Sequence, residues 1–341
     1  MSLPNIKNLS LPALEEKILS WGVKSYVRDQ ILIWLYRERV TSFDEMTNLS
    51  KELRRRLAET FVIDRMEVER TLHSVDGSQK FLFKLADGQK IESVLMPQKN
   101  DRLTLCISSQ VGCAIGCCFC KTAEMGLMRN LTQGEILGQV LEVQQTLPHK
   151  KRISNIVFMG MGEPFHNYET VISALKLLRD PRCFNFGKRK ITVSTSGLAP
   201  EIEKFGKDAD VKLALSLNAT TDPSRTEIMP INKAFPMERL QKACRTYNDL
   251  TGLTITIEYV LFAGLNDSRE DAKRLVRFLS PLNTKINVIP YNEYPGSPFK
   301  RPSDEKIRDF HHTLADHNFQ VNIRYSKGLD IMGACGQLAT A

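Results

Sequence analysis

The sequence has no apolar run approaching the roughly 20 residues a helix needs to cross a bilayer. That excludes an integral helical membrane protein. Its first residues, Met-Ser-Leu-Pro-Asn, contain no basic segment leading into an apolar one, so no export signal is read there. There is no internal repeat and no low-complexity tract, and so no sign of a repeat array or a disordered tail. Tryptophan is scarce: Trp21 and Trp34 are the only two, and core packing is their expected role. These absences predict a soluble, cytoplasmic protein. In a reducing compartment its eight cysteines read as metal ligands, catalysts or buried small side chains rather than a disulfide framework.

What is present begins with ordinary globular composition, 42% hydrophobic and 25% charged, in a chain of 341 residues, long enough for a large core or two domains. A net charge of +8 and a pI near 9.0 favour a polyanionic partner. The most informative stretch is Cys113-Ala-Ile-Gly-Cys117-Cys118-Phe-Cys120, which holds four of the eight cysteines. Cys113, Cys117 and Cys120 fit C-x3-C-x2-C. A structural zinc site closes with four protein ligands, and no second Cys/His pair at zinc spacing lies nearby. An iron–sulfur cube held by three thiolates leaves one iron free to bind something else. Cys118 reads as a bystander.

Read in order, residues 1–62 form a small helical unit. Ser10 and Ser50 are N-cap candidates, and Gly22 stops the first helix. Arg54, Arg55 and Arg56 point around a helix, and two readings stand: a solvated face balanced by Glu45, Glu52 and Glu59, or an RNA-backbone contact. Residues 63–100 change to strand period, with Asp76-Gly77 and Asp87-Gly88 turns marking a three-stranded meander. Glu92 faces opposite to Ile91 in its last strand. Residues 97–102 are a polar connector. From residue 103 strands and helices alternate through six β-α units to about residue 295, predicting an α/β fold with a parallel sheet. Periodicity suits a partial barrel and a doubly wound sheet equally. Residues 296–341 add a helix, a short strand and a glycine-rich loop carrying Cys335.

Ligands of parallel α/β folds sit at the C-terminal strand ends. There the sequence places Gly160-Met-Gly162-Glu163-Pro164, Ser194, Ser216-Leu217-Asn218 and Asn292. Glycines admit a ligand to the backbone, and Glu163 suits an ammonium group. Taken singly, each polar residue reads as a turn or cap. Cys106, in the first strand, reads as a buried small hydrophobe. Cys335, between small residues on a loop, reads as an accessible reactive thiol. Cys183 and Cys244 read as packing.

The C-x3-C-x2-C loop, with its aromatic residue before the last cysteine, resembles the radical S-adenosylmethionine (radical SAM) signature. Ser108-Ser-Gln-Val-Gly-Cys113, Gly160-Met-Gly-Glu-Pro164, Ser194-Thr-Ser-Gly197, Pro230-Ile-Asn-Lys233, Ile257-Glu-Tyr259 and Ala334-Cys-Gly-Gln-Leu338, with the separated pair Cys106 and Cys335, resemble the RlmN/Cfr family of radical SAM RNA methyltransferases over nearly the whole chain. The resemblance implies a partial (β/α)6 barrel. It implies a [4Fe-4S] cluster on Cys113, Cys117 and Cys120, with SAM on the fourth iron and against Gly162, Glu163, Ser194, Ser216, Leu217, Asn218 and Asn292. It implies two SAM molecules per turnover. Cys335 would carry the methyl as S-methylcysteine, a radical would activate that methyl, Glu92 would accept the ring proton, and Cys106 would resolve the adduct through a transient disulfide. The implied substrate is an adenosine of 23S rRNA, methylated at C2, with tRNA as a further RNA substrate and flavodoxin or ferredoxin as electron donor. Residues 1–62 and Lys188-Arg-Lys190 would then grip RNA. The alternatives are C8 methylation of the same adenosine, a radical SAM enzyme acting on a polypeptide, and a non-catalytic zinc-dependent RNA-binding protein.

Overall fold

The computed structural model describes residues 3–339. Helices α1 (Leu11–Leu19), α2 (Tyr26–Ile33) and α3 (Lys51–Thr60) open the chain, and the side chains of Ser10 and Ser50 cap α1 and α3 as their sequences predict. A π-helical turn, Trp34–Glu38, extends α2 and stops at Arg39, in the left-handed region at φ 58°. The arginine run is held within its own unit. Arg54 donates to the Asp44 carbonyl, Arg55 pairs with Glu52 and Glu59, and Arg56 lies 4.8 Å over the Trp21 ring.

Strands β1 (Glu67–His73), β2 (Gln79–Lys84) and β3 (Lys90–Pro97) form the meander. Gly77 and Gly88 take φ of +83° and +82°, which is what the two Asp-Gly turns require. The meander is not a separate connector. It runs antiparallel into β4 (Leu103–Ile107), and the polar stretch at 97–102 is the turn between β3 and β4, closed by the Gln98 amide donating to the Arg102 carbonyl. Both β2 and β3 are buried on both faces, because the C-terminal tail covers the face that alternation alone would leave to solvent.

After β4 come β5 (Gln110–Gly112), α4 (Lys121–Glu124) and β6 (Leu127–Asn130), with β5 and β6 pairing as a small antiparallel ribbon around the cysteine loop. Then follow α5 (Gln133–Thr146), β7 (Asn155–Phe158), α6 (Tyr168–Arg179), β8 (Ile191–Thr195) and α7 (Ala199–Asp208). The next group is β9 (Lys212–Ser216), α8 (Asp222–Ile228), α9 (Met237–Thr251), β10 (Ile255–Leu261) and α10 (Arg269–Leu279). The chain closes with β11 (Thr284–Pro290), α11 (Asp304–Ala315) and β12 (Val321–Ile323).

One sheet of ten strands runs β1-β2-β3-β4-β7-β8-β9-β10-β11-β12, parallel from β4 onward. Its ends are separate edges, as in an open barrel. Capping boxes at Thr132 with Glu135 and at Ser268 with Asp271 start α5 and α10. The ribbon β5–β6 and helix α8 have no counterpart in the sequence reading: three- and four-residue strands show no period, and Asp-Pro-Ser-Arg-Thr-Glu-Ile has no apolar stripe. Among the described residues no helix is long and apolar enough to cross a membrane.

Candidate active site

The C-terminal ends of β7, β8, β9 and β11 and the cysteine loop surround a cavity that opens to solvent. Cys113, Cys117 and Cys120 line it, as do Gly162, Glu163, Ser194, Ser216, Asn218 and Asn292. Leu217, expected with them, does not. Side chains alternate along a strand, so Ser216 and Asn218 face the cavity while Leu217 is buried in the core.

Several interactions of the Ser108-Ser-Gln110 segment set the loop against β7. The Ser108 amide donates to Gln139 Oε1 at 2.7 Å, and Ser108 Oγ accepts from the Met161 amide at 2.8 Å. Gln110 Oε1 accepts from the Glu163 amide at 2.8 Å. Gly162 is required here: its φ is +97°, and a Cβ would stand 2.5 Å from Gln110 Cβ. The Glu163 carboxylate is buried and accepts from the Phe165 amide, the Ser196 amide and the Ser196 hydroxyl. Burial raises its pKa against those donors.

The three cysteines fit a cluster. Burial pushes the Cys113 thiol up to about 12, raises Cys120, and raises Cys117 well above the ordinary thiol value. Thiols in such a place ionise only when a metal supplies positive charge. Among the described residues no three Cys, His, Asp or Glu side chains are grouped as ligands of one ion. Cysteines spread along one cavity wall suit a cube, in which each thiolate takes a different iron. The cluster would sit on Cys113, Cys117 and Cys120, with SAM beside it along the strand ends. Cys118 is exposed and turns away, its thiol 3.5 Å from the Ile228 carbonyl.

Cys335 lines this cavity and also a second, smaller one, whose wall includes Cys106. The Cys335 loop docks on the cluster loop: the Lys121 amide donates to the Gly336 carbonyl at 2.7 Å, and Thr122 Oγ1 to the Leu338 carbonyl at 2.6 Å. Asn292 Nδ2 donates to Ser326 Oγ at 2.8 Å and reaches the Cys335 carbonyl at 3.4 Å. Cys106 is buried, and burial pushes its thiol up to about 12, with Cys335 adding to the rise and Arg324 opposing it. Arg324 lines both cavities, and its Nη1 lies 3.4 Å from Glu258 Oε2. Arg324 carries no signal in the sequence, and Glu258 is marked there only as part of Ile257-Glu-Tyr259; the two lie just past β12 and on β10, which only the fold brings together.

Glu92 lines neither cavity. It is buried under the C-terminal tail, with Oε1 2.9 Å from Lys80 Nζ and Oε2 accepting from the Ala339 amide at 3.0 Å. Burial raises its pKa and Lys80 opposes the rise.

Comparison with known proteins decides the family. Residues 4–63 match the model of the ribosomal RNA large subunit methyltransferase N-terminal domain, and residues 107–279 that of the radical SAM superfamily. The dual-specificity RNA methyltransferase RlmN of Geobacter sulfurreducens is 51% identical over 334 residues, covering 98% of this chain and 91% of that protein. The chain belongs to the RlmN family. The RlmN of Desulfosudis oleivorans is 49% identical over 335 residues, covering 98% of this chain and 90% of that one. A crystal structure of a radical SAM methyltransferase from Sphaerobacter thermophilus superposes with a TM-score of 0.92 at 43% identity, covering 99% of this chain and 100% of that one. Members of this radical SAM family use a [4Fe-4S] cluster and SAM, and so does this protein.

Proposed function

We propose that this protein methylates C2 of an adenosine in 23S rRNA, and an adenosine of tRNA, with Cys335 as the methyl carrier. One observation carries the reading: Cys335 stands in the wall shared by two cavities, the three cluster cysteines in one and Cys106 in the other. The name of the relatives, dual-specificity RNA methyltransferase, supports two RNA substrates. C2 of adenine is electron-poor and has no lone pair to attack a sulfonium methyl, so the methyl must travel by another route. The Cys335 sulfur takes it first as a nucleophile, forming an S–CH3 bond as S-adenosylhomocysteine leaves. When bound, the cluster and a second SAM supply the hydrogen-abstracting radical at the Cys335 side of the cavity. Lys121, Thr122 and Asn292 hold the Cys335 loop there. Glu92 takes the ring proton once the Ala339 end of the tail lifts from its carboxylate. With the Cys335-borne carbon joined to C2 and the surplus electron returned to the electron carrier, the Cys106 thiolate attacks the Cys335 sulfur; the S–C bond breaks, the carbon keeps the electron pair and takes a proton to become the methyl, and an external thiol reduces the disulfide left behind.

In this reading residues 1–62 are an RNA-binding accessory unit, 63–100 extend the sheet, 101–295 are the radical SAM barrel, and 296–341 carry the methyl. Lys188 is paired with Asp210 at 3.3 Å. Arg39 and Arg152 stand together instead in a groove with Arg37, Arg65 and His149. That groove lies before β7, at the end of the sheet away from Cys335, and there it holds a distant stretch of the RNA backbone, while the target adenine is turned out of the stack to enter the cavity at Cys335. The protein works in the cytoplasm and takes electrons from a flavodoxin or ferredoxin. Nucleoside mass spectrometry of rRNA from a strain lacking the enzyme and complemented with this chain tests the reading. Return of 2-methyladenosine is expected; 8-methyladenosine alone would overturn it.

A further inference from the structure

Arg225, in α8, has no solvent exposure and does not line the cavity. Its Nε donates to the Leu217 carbonyl at 3.1 Å and its Nη1 to Asn232 Oδ1 at 3.0 Å. Its Nη2 donates to the Ser196 carbonyl at 2.5 Å and the Ser216 carbonyl at 3.3 Å. All four acceptors are neutral. The acid acting on it, Asp222, is engaged by Asn232 Nδ2 at 2.8 Å and the Met237 amide at 2.9 Å. A buried guanidinium without a carboxylate partner is costly, so another negative charge must offset it.

The cysteine loop packs against α8, and the Ser196 and Ser216 carbonyls that hold Arg225 belong to residues lining the same cavity as the cysteines. The Cys118 amide donates to the Ile228 carbonyl at 3.1 Å, which packs the cysteine loop on the end of the helix. Gly116 abuts Pro230, and Met229 lines the cavity beside Cys117. Burial lowers the Arg225 pKa to about 10, and Cys117 is the strongest influence favouring its charge.

We propose that Arg225 is the buried counter-charge of the iron–sulfur site, favouring the cluster with its added electron while tying down the Ser196 and Ser216 strand ends. The proposal rests on the reading that Cys113, Cys117 and Cys120 hold the cluster. One electron from an external one-electron donor adds one negative charge beside Arg225, and no proton moves. Arg225 is therefore a positioning residue: it touches neither substrate nor cluster, and acts through the field and through the strand ends.

Two variants separate the roles. Arg225→Gln removes the charge and keeps hydrogen-bond donors; Arg225→Lys keeps the charge and loses the fork geometry. Purified cluster-loaded proteins are titrated anaerobically with dithionite and mediators, and reduction is followed by visible absorption and electron paramagnetic resonance. The reduction equilibrium of Arg225→Gln should fall about tenfold, which is 59 mV for one electron. Arg225→Lys should stay within about threefold of the parent, under half that shift on the same scale. An unmoved potential in Arg225→Gln, or an equal fall in both variants, would overturn the proposal. Thermal melting supplies the second readout. The metal-free Arg225→Gln and Arg225→Lys proteins should both melt below the metal-free parent and close to one another, because each loses the fork of hydrogen bonds to the strand ends. Cluster loading should then raise the melting temperature less in Arg225→Gln than in Arg225→Lys, and an equal rise in the two would sink the idea. Iron and sulfide in the parent are measured first: their absence removes the cluster reading itself, whereas an unmoved potential removes only the counter-charge.

Discussion

Lys80→Met removes the cation from a buried pair whose side chains are 9% and 5% exposed. Breaking such a pair from one side costs about 3–5 kcal/mol, because the remaining charge is left in a low-dielectric place. Glu92 would keep only the Ala339 amide at 3.0 Å. It can escape most of the cost by taking a proton. Burial already raises its pKa, and Lys80 is the main group opposing that rise. Losing Lys80 should lift it further, because the cation beside the carboxylate is gone. The sign follows from proton counts. A carboxyl with a raised folded pKa binds more protons folded than unfolded, so stability declines as pH rises from the unfolded value near 4.5 through the folded one. The variant should thus lie close to the parent near the acid end of that window and fall behind as the pH rises. Urea denaturation of metal-free proteins across the window measures this. A deficit that is the same at every pH, or that stays below about 1 kcal/mol at neutral pH, refutes the reasoning, since a broken buried pair costs more. Adding Glu92→Gln to Lys80→Met should flatten the pH dependence.

Other expectations follow from single contacts. Gly162→Ala puts a side chain at φ +97° and 2.5 Å from Gln110, so SAM affinity measured by calorimetry should fall at least tenfold. Asn292→Ala frees the Cys335 loop of two hydrogen bonds, at 2.8 and 3.4 Å. At about 1 kcal/mol for the shorter bond, Cys335 methylation followed by peptide mass spectrometry should slow about fivefold. Arg39→Glu with Arg152→Glu should weaken RNA binding and reduce the slope of log affinity against log salt by about 0.7 per lost contact to a single-stranded phosphate. An unchanged slope would move the RNA elsewhere.

The parts of the site that were legible in the sequence are those carried by local spacing. Cys113, Cys117 and Cys120 share one loop, and the glycines and small polar residues follow apolar strands at the position where a parallel sheet opens. Six alternating units made the α/β fold readable, and Ser10 and Ser50 marked helix starts because capping is a one-turn interaction. Buried charge was not legible. Arg225 sits in a polar segment that reads as surface, and Lys80 looks like any strand lysine until the chain brings Met332 and Ala339 over its neighbour. Leu217 is named in the SAM set by the resemblance; its side chain is buried in the core, so only its backbone is left to face SAM. Burial of that kind is decided by partners dozens to hundreds of residues distant, and no window of sequence contains them.

The central claim is that Cys335 carries the methyl into the adenine ring and Cys106 releases it. Cys106→Ala, expressed with its RNA substrates and digested with protease and nuclease, tests this directly. Mass spectrometry should find the Cys335 peptide joined to adenosine through one carbon. Free RNA together with an unmodified Cys335 peptide, from protein containing iron and able to cleave SAM, would contradict the account.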